Sequence, residues 1–202
     1  MKKTIISLLA LTLGLAATAQ AQYRGRGGNV SLGLKAGGSL STFAGADSER
    51  YSSRFRFHAG VFANLGLSKL IAFQPELLYS QKGAGLAGNN ETNYRLHYVD
   101  VPLVFHVNTD GFFLEAGPQI GFLAASRFHI GSSSADNKFL YKTVDLGYVA
   151  GLGYQLKHGP GFGLRYNGEF TEFTKPFVSG SLARQSRIRN SALQLYATYS
   201  FN

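Results

Sequence analysis

The clearest pattern in the chain is an alternation of apolar and polar positions across residues 71–83. The apolar side chains on one face are Phe73, Pro75, Leu77 and Tyr79. The opposite face carries Gln74, Glu76, Ser80 and Lys82, with Leu78 as an apolar exception. A period of two residues indicates a β-strand. This stretch therefore predicts a strand with one hydrocarbon face and one ionic face.

Seven further segments alternate in the same way. They are residues 30–43, 54–67, 94–108, 112–125, 143–155 and 161–170, and Ile188–Phe201. In each segment one face is free of charge in its middle, and the charged side chains collect on the other. We expect an all-β fold, an eight-stranded antiparallel up-and-down transmembrane β-barrel with its apolar faces outward.

The connections between these segments alternate in length. The long polar ones are residues 44–53, 84–93, 126–141 and 171–187, and the short ones lie near residues 68–69, 109–111 and 157–160. Long loops at one end and short turns at the other are typical of barrels that cross an outer membrane. An even number of strands would place both chain ends on the short-turn side.

Three prolines fall in the middle of predicted strands: Pro75, Pro102 and Pro118. Proline has no N–H to donate to a strand ladder, so its presence argues against a central strand. We expect bulges or single lost backbone pairings there. An unsatisfied backbone group in lipid would cost several kcal/mol unless water or a side chain replaced the missing partner.

The first residues have the features of an export signal. Lys2 and Lys3 precede an apolar run over residues 5–17, and Ala19 and Ala21 match the small-x-small cleavage pattern. We expect a signal peptide over residues 1–21, a short linker over residues 22–29 and a barrel domain over residues 30–202. After residue 21 no run of about 18 apolar residues follows, so no spanning helix is predicted.

Composition narrows the possible chemistry. The chain has no cysteine, which excludes disulfides, thiolate zinc sites and a cysteine nucleophile. Its formal charge of +9 falls to +7 when Lys2 and Lys3 leave with the signal peptide. A basic surface suggests nucleic acid or anionic lipid as a partner, and export argues against nucleic acid. The 25 glycines, many within strand-like stretches, would leave room inside a narrow barrel.

Four motifs resemble those of one family. They are QPELLYSQKG at residues 74–83, LKAG at 34–37, YVDVPL at 98–103 and EAGPQIG at 115–121. Together they resemble the PorT-type "outer membrane beta-barrel protein" family, also labelled the porin family. The resemblance covers nearly the whole mature chain, and it implies an eight-stranded barrel integral to a Gram-negative outer membrane. One namesake is tied to a protein-secretion apparatus, and because the family label spans many paralogues the resemblance does not assign that role to this chain.

The end of the chain carries alternating aromatic residues. Tyr199 and Phe201 resemble the C-terminal signal that barrel-insertion machinery reads, with Gln194 as the upstream polar residue. Two positions depart from the usual pattern, because Tyr196 stands where a glycine is common and Asn202 follows the last aromatic residue.

The alternation predicts a charge network in the lumen. By phase, its members are Lys35, Arg56, Glu76, Lys82, Asp100, Glu115, Asp145, Arg165 and Glu169. A basic side chain at the lipid midplane would cost about 2–4 kcal/mol, so these charges fix the register. An eight-stranded barrel is only wide enough for side chains, and the charges inside it must pair. We expect a closed, salt-bridged interior.

No catalytic, metal or cofactor site is predicted. The histidines are His58, His97, His106, His129 and His158, and no H-x-x-H or H-E-x-x-H spacing occurs. The glycine-rich residues 84–90 lack the Lys-Ser/Thr of a phosphate loop. The carboxylates are therefore interpreted as lumen packing, and we expect a protein that is not an enzyme.

The expected partners follow from location and charge. Basic residues in or beside the long connections could meet lipopolysaccharide phosphates, and they are Arg50, Arg54, Arg95, Arg127, Lys138, Lys142, Lys175, Arg184, Arg187 and Arg189. Outer-membrane lipid, the barrel-insertion machinery and other envelope proteins complete the set. We expect a structural or interaction barrel. A small-solute porin is the alternative, and an exported soluble lipocalin-like barrel with an apolar interior is a weaker one.

Overall fold

The computed structural model describes residues 30–46, 48–130, 133–136, 141–156, 159–172, 177–179, 182–184 and 188–201. The predicted signal peptide, with Ala19 and Ala21 at its cleavage site, lies outside the described residues. The predicted linker over residues 22–29 lies outside them as well. The structural account therefore begins at Val30, the first residue of the first strand.

Eight long strands build the molecule. They are β1 (Val30–Gly45), β2 (Arg54–Gly66), β3 (Ile71–Lys82), β4 (Asn89–Thr109), β5 (Phe112–Ile130), β6 (Val144–Gln155), β7 (Pro160–Glu169) and β8 (Ile188–Phe201). Each pairs antiparallel with the strand before and after it in the chain. The first and last strands also pair, from Leu32 opposite Phe201 to Gly45 opposite Ile188, which closes the barrel. The expected eight-stranded antiparallel barrel is confirmed.

Helical structure in the described part of the chain is slight. A single-turn 3-10 helix covers Ser48–Arg50, and no described helix is long and apolar enough to cross a membrane.

Several of the long connections contain strands of their own. Tyr51–Ser52 pairs with Gly85–Leu86, Ser133–Asp136 pairs with β5, and Phe177–Ser179 pairs with Leu182–Arg184. Strands β4 and β5 also run further than the alternation indicated, to Asn89 and Ile130. The connections predicted as long and polar thus contain short strands, and Phe177–Ser179 with Leu182–Arg184 form a sheet separate from the barrel.

The three prolines interrupt neighbouring ladders without shifting them. At Pro75 the β2–β3 pairing passes from Phe62 opposite Glu76 directly to Leu65 opposite Phe73. The register is the same on both sides of the break, so neither strand contains an inserted residue there. Two consecutive residue pairs are absent, where single lost pairings or bulges were expected.

The same break recurs on the next two strand pairs. In the β3–β4 ladder, pairing stops after Pro75 opposite Leu103 and resumes at Leu78 opposite Asp100. Pro102 lies in this gap. In the β4–β5 ladder, pairing stops after Pro102 opposite Gln119 and resumes at Phe105 opposite Ala116. Pro118 lies in this gap. A register shift does occur in β4–β5, but between His97 and Tyr98 rather than at a proline. The breaks thus lie side by side across β2 to β5.

Side-chain exposure is inverted relative to a water-soluble barrel. Leu195 and Phe55 on the outer wall are 67% and 72% exposed, whereas Arg165 and Glu76 in the lumen are 1% and 3% exposed. The weaker expectation of a soluble barrel required an apolar interior, and this interior is ionic. The outer surface therefore requires an apolar medium, since burial of this area is what stabilises apolar side chains.

Glycines on the inner wall make room for aromatic rings on the neighbouring strand. A Cβ on Gly163 would lie 2.3 Å from the ring of Tyr196, its cross-strand partner. A Cβ on Gly33 would lie 2.3 Å from the ring of Phe62, its partner on β2. Each large ring can fold across the lumen because the residue opposite has no side chain.

Candidate functional site: the lumen and its two ends

Arg165 on β7 lies at the centre of the lumen between two carboxylates. Its Nη1 and Nη2 donate to Glu76 Oε2 and Oε1 at 2.8 and 2.9 Å. Its Nε and Nη2 donate to Glu115 Oε1 and Oε2 at 2.8 and 2.5 Å. Glu76 comes from β3 and Glu115 from β5, so one guanidinium joins three strands. Paired N–H donors in a fixed fork are the geometry that arginine supplies and lysine does not.

A lysine and a tyrosine complete this layer. Lys35 Nζ on β1 lies 3.0 Å from Glu76 Oε1 and 3.8 Å from the centre of the Tyr196 ring. The Tyr196 hydroxyl donates to Glu115 Oε1 at 2.8 Å. We call Lys35, Glu76, Glu115 and Arg165 the central cluster. Its two cations and two anions balance. Tyr196, which occupies a position where insertion signals commonly have glycine, donates a hydrogen bond to this cluster.

A second group of charges lies closer to the long connections. Lys82 Nζ is 3.0 Å from Asp100 Oδ1 and 2.7 Å from Glu169 Oε1. Asn190 Nδ2 also donates to Glu169, at 2.8 Å. We call Lys82, Asp100, Glu169 and Asp145 the upper cluster, in which Asp100 and Glu169 contact the lysine and Asp145 does not.

Two of the predicted lumen charges form no ion pair within the described residues. Asp145 is 1% exposed and accepts a hydrogen bond from the Tyr98 hydroxyl at 2.5 Å. Arg56 is also buried, but it donates to Asn93 Oδ1 at 2.6 Å and to the Tyr94 carbonyl at 3.1 Å. The expectation that every lumen charge pairs with an opposite charge therefore fails for both. Arg56 lies at the long-connection end, where neutral acceptors bind its Nη2, while its buried Nε has no hydrogen-bond partner among the described residues.

An apolar layer covers the upper cluster on the long-connection side. We call it the aromatic cap, and its members are Phe43, Ala84, Leu96, Tyr98, Leu123, Tyr141 and Ile188, with Tyr51 and Tyr94 packed against them. The rings of Phe43 and Tyr51 meet edge to face at 4.8 Å. Burial raises the pKa of the Tyr141 hydroxyl to about 12. Sequence reasoning missed this cap because it described the connections as polar, although Tyr51 and Tyr141 are apolar signals within them.

The opposite end of the lumen opens into a cavity of about 260 Å³. We call it the vestibule. It lies where the strands meet the short turns, and its lining includes Asn64, Gln74, Gln155, Thr198 and Ser200. These side chains are neutral and polar, in contrast to the charges above them.

The two inward histidines are held by neighbours in the wall. His58 Nδ1 lies 3.1 Å from Ser39 Oγ. His106 stacks on Phe113 at 4.8 Å, and its Nε2 lies 3.3 Å from Glu115 Oε2. Among the described residues, no group of histidine and carboxylate side chains is arranged to hold a metal ion.

The C-terminal aromatic pair faces outward. Tyr199 and Phe201 are 52% and 50% exposed, and their rings lie 5.5 Å apart. They belong to the apolar outer wall at the short-turn end. Asn202 lies outside the described residues.

A closed antiparallel barrel with an apolar outer wall and a charged interior defines a membrane-spanning β-barrel. The chain belongs to the family described as "Outer membrane protein beta-barrel domain", whose model matches residues 19–175. It is therefore an integral outer-membrane protein, and its apolar wall lies against outer-membrane lipid. A search of the curated proteins found no match.

Solved structures show the same fold. Neisserial surface protein A is similar with a TM-score of 0.56 at 14% identity, over 86% of this chain and 99% of that one. Ail, the attachment invasion locus protein of Yersinia pestis, is similar with a TM-score of 0.50 at 12% identity. That match covers 85% of this chain and 98% of Ail. At these identities the likeness concerns the fold alone.

Proposed function

We propose that this barrel is closed to solutes and has a structural or interaction role in the cell envelope. The observation that carries the proposal is the position of Arg165, whose guanidinium bridges opposite sides of the lumen at its centre. Above it, the upper cluster and the aromatic cap fill the remaining path to the long connections. A solute would have to separate these layers to pass.

The cost of opening such a path is high. Breaking a buried ion pair by removing one partner costs about 3–5 kcal/mol, because the other charge stays buried without compensation. An eight-stranded barrel has no spare width in which the side chains could swing aside. The central cluster therefore blocks the lumen permanently and does not act as a selectivity filter.

Conductance across a planar lipid bilayer tests the proposal. The refolded protein should give no steady current in simple salt at moderate voltage. A variant in which Arg165 and Glu115 are both replaced by alanine is the matched comparison, and it should leak because it removes two side chains from the centre. A stable wild-type pore that passes small solutes would overturn the closed-barrel proposal in favour of a small-solute porin.

We propose a noncatalytic role for the inward side chains. Ser39 and His58 form a Ser–His contact, which would suggest hydrolysis if a substrate could reach it. Both are 1% exposed, and their side chains face the lumen rather than the outer wall. The buried position supports a role in lumen packing for this contact.

We propose that the outer rim binds the phosphates of lipopolysaccharide. Arg95 and Arg127 lie directly opposite each other on β4 and β5, although like charges in cross-strand positions destabilise a sheet. Arg127 is exposed, and its partner on the short strand Ser133–Asp136 is Asp136. A phosphate between the two guanidinium groups would remove their repulsion. Of the loop residues expected to help, Lys138, Lys175 and Arg187 lie outside the described residues, as does the side chain of Arg184.

Replacement of Arg95 and Arg127 by glutamine tests this rim site. The variant should lose thermal stability in vesicles that contain lipopolysaccharide and gain slightly in vesicles of neutral phospholipid. Lys69→Gln, an exposed change in a short turn at the opposite end of the barrel, is the control. An equal response in both kinds of vesicle would contradict the proposal.

Three finer assignments are proposals of the same kind. The QPELLYSQKG motif at residues 74–83 supports placement in the PorT-type subgroup. The outward pair Tyr199 and Phe201 supports recognition by the barrel-insertion machinery. Cleavage after Ala21 would give a mature chain that starts at Gln22, and mass spectrometry of the protein purified from membranes would test it.

A further inference from the structure

The vestibule differs from every other layer of the lumen in its chemistry. Its described lining contains amides, hydroxyls, aromatic rings and the imidazole of His106, but no Lys, Arg, Asp or Glu side chain. The four charged side chains of the central cluster are therefore absent from this lining. A neutral lining with a few convergent polar groups is typical of a small-molecule site.

The charges above the vestibule fix the orientation of its amides. Glu76 is a carboxylate of the central cluster and can only accept, so Gln74 must present its NH₂ to it, and Gln74 Nε2 lies 2.9 Å from Glu76 Oε1. Gln74 Oε1 is then left to accept from Asn64 Nδ2, at 3.0 Å. This relay uses the Asn64 amide as a donor, and it leaves Asn64 Oδ1 as an acceptor at the vestibule.

A second amide on the other side of the vestibule is oriented in the same sense. Gln155 Nε2 donates to the Gly159 and Pro160 carbonyls at 3.1 and 3.0 Å. Its Oε1 therefore remains an acceptor. The hydroxyls of Thr198 and Ser200, which line the same space, can accept or donate. The vestibule thus offers oriented acceptors to a ligand that carries several donors.

Aromatic rings supply the remaining surface. Phe62, Phe113 and Tyr196 line the cavity, and each is held against a glycine on the neighbouring strand. The Phe113 ring is further fixed by its stack on His106, with 8° between the ring planes. Rigid flat faces beside hydrogen-bond acceptors suit a ligand that has both C–H faces and hydroxyl edges.

We propose that the vestibule binds a neutral sugar ring, which has that combination of hydroxyl donors and apolar faces. Its 260 Å³ lies just under the roughly 300–1,000 Å³ of sites for drug-sized ligands, so it holds one ring and not a chain. In an outer-membrane barrel the short-turn end faces the periplasm. The ring could therefore be the end of a cell-wall glycan or part of a free oligosaccharide. This inference goes beyond the closed-barrel role and does not depend on it.

Titration of the refolded, isotope-labelled protein with chitobiose, a neutral disaccharide, tests the proposal. Saturable shifts are expected in the NMR signals of the Asn64 and Gln155 side-chain amides. Thr198→Val keeps the shape and removes one hydroxyl, and it should weaken binding about fivefold, the effect of one typical hydrogen bond. Asn64→Leu removes the relay's acceptor and should weaken binding by at least as much.

Ser191→Ala is the matched control, because Ser191 lies on the same strand but its hydroxyl contacts Tyr166 away from the vestibule. It should bind chitobiose as the wild type does.

Co-sedimentation with purified cell-wall sacculi distinguishes a wall glycan from a free saccharide as the source of the sugar ring. Retention on sacculi supports a wall glycan, and chitobiose binding without retention supports a free saccharide. Absence of saturable chitobiose binding, or equal weakening by Ser191→Ala and Thr198→Val, would overturn the proposal.

Discussion

At the scale of single residues, the lumen depends on a balance of charges that arginine is best suited to hold. Arg165 makes two-point contacts with both Glu76 and Glu115, so its removal would leave Lys35 as the remaining cation of the central cluster beside two carboxylates. Buried charges without compensation are among the most destabilising features a protein can have. The central cluster should therefore behave as one unit and not as separate pairs.

Arg165→Met should lower the free energy of unfolding by about 3–5 kcal/mol. Adding Glu115→Gln to that variant restores the balance between Lys35 and Glu76, and should recover stability through a coupling of about 0.5–3 kcal/mol. Urea titrations of the protein refolded into vesicles measure both effects. Arg127→Met at the exposed rim is the control. Strictly additive losses in the double variant would contradict a shared cluster.

Gly163→Ala should destabilise the barrel by about 1–3 kcal/mol, because the new methyl would meet the Tyr196 ring at 2.3 Å. The same titration measures the change. Ala150→Val, which adds methyl groups to an exposed outer position, should have a much smaller effect. If the two substitutions cost the same, the close approach of Tyr196 to Gly163 is not what requires glycine there.

The lumen was predictable in part from these residues. Alternation alone placed Lys35, Glu76 and Arg165 on the inner face, because a strand's period of two fixes the side of each side chain. It could not say which charges meet, since that depends on the stagger between strands that are distant in sequence. Arg56 shows this limit. The alternation correctly places its side chain inward, but its position along the barrel axis brings it to Asn93 rather than to a carboxylate.

At the scale of elements, the strand cores and most strand ends followed the sequence pattern closely, but the upper ends of β4 and β5 did not. The predicted Ile188–Phe201 matches β8, and the predicted residues 71–83 differ from β3 by one residue. Strands β4 and β5 extend further because their upper ends pair with each other outside the wall, where alternation is no longer imposed by lipid. The vestibule had no sequence signal, since amides and hydroxyls near turns are common in any chain.

The adjoining breaks at Pro75, Pro102 and Pro118 should form a soft zone in the wall. Amide hydrogens around these breaks should exchange faster than those of the β1–β8 seam, where pairing is continuous from Leu32 to Gly45. Hydrogen exchange followed by NMR in micelles gives the comparison residue by residue. Equal protection in both regions would mean that water or side chains satisfy the interrupted backbone groups.

At the scale of the whole molecule, stability rests on the match between an oily wall and the surrounding bilayer. The outer wall exposes large apolar side chains along every strand, including Phe112, Leu152, Phe162 and Leu195. This arrangement is unfavourable in water and favourable in lipid, so the folded state and the membrane cannot be considered separately.

Leu195→Arg should lower the free energy of unfolding in vesicles by about 2–4 kcal/mol, since Leu195 lies in the middle of β8 and faces lipid. Leu67→Arg, beside a short turn, should cost no more than about 1 kcal/mol because the side chain can reach the interface. Urea titration and heat-dependent gel mobility report the difference. Equal costs at the two positions would contradict the assigned depth of Leu195.

The pairing of β1 with β8 has a consequence for how the molecule is made. Because the fourteen residues of β8 supply the partner for the very first strand, a nascent chain that lacks β8 cannot close the wall. A polypeptide that stops before Ile188 would present two open borders, both able to recruit foreign strands. Biogenesis must therefore shelter the growing sheet until its two ends meet, and quality control has a simple criterion to apply: whether any border is still open.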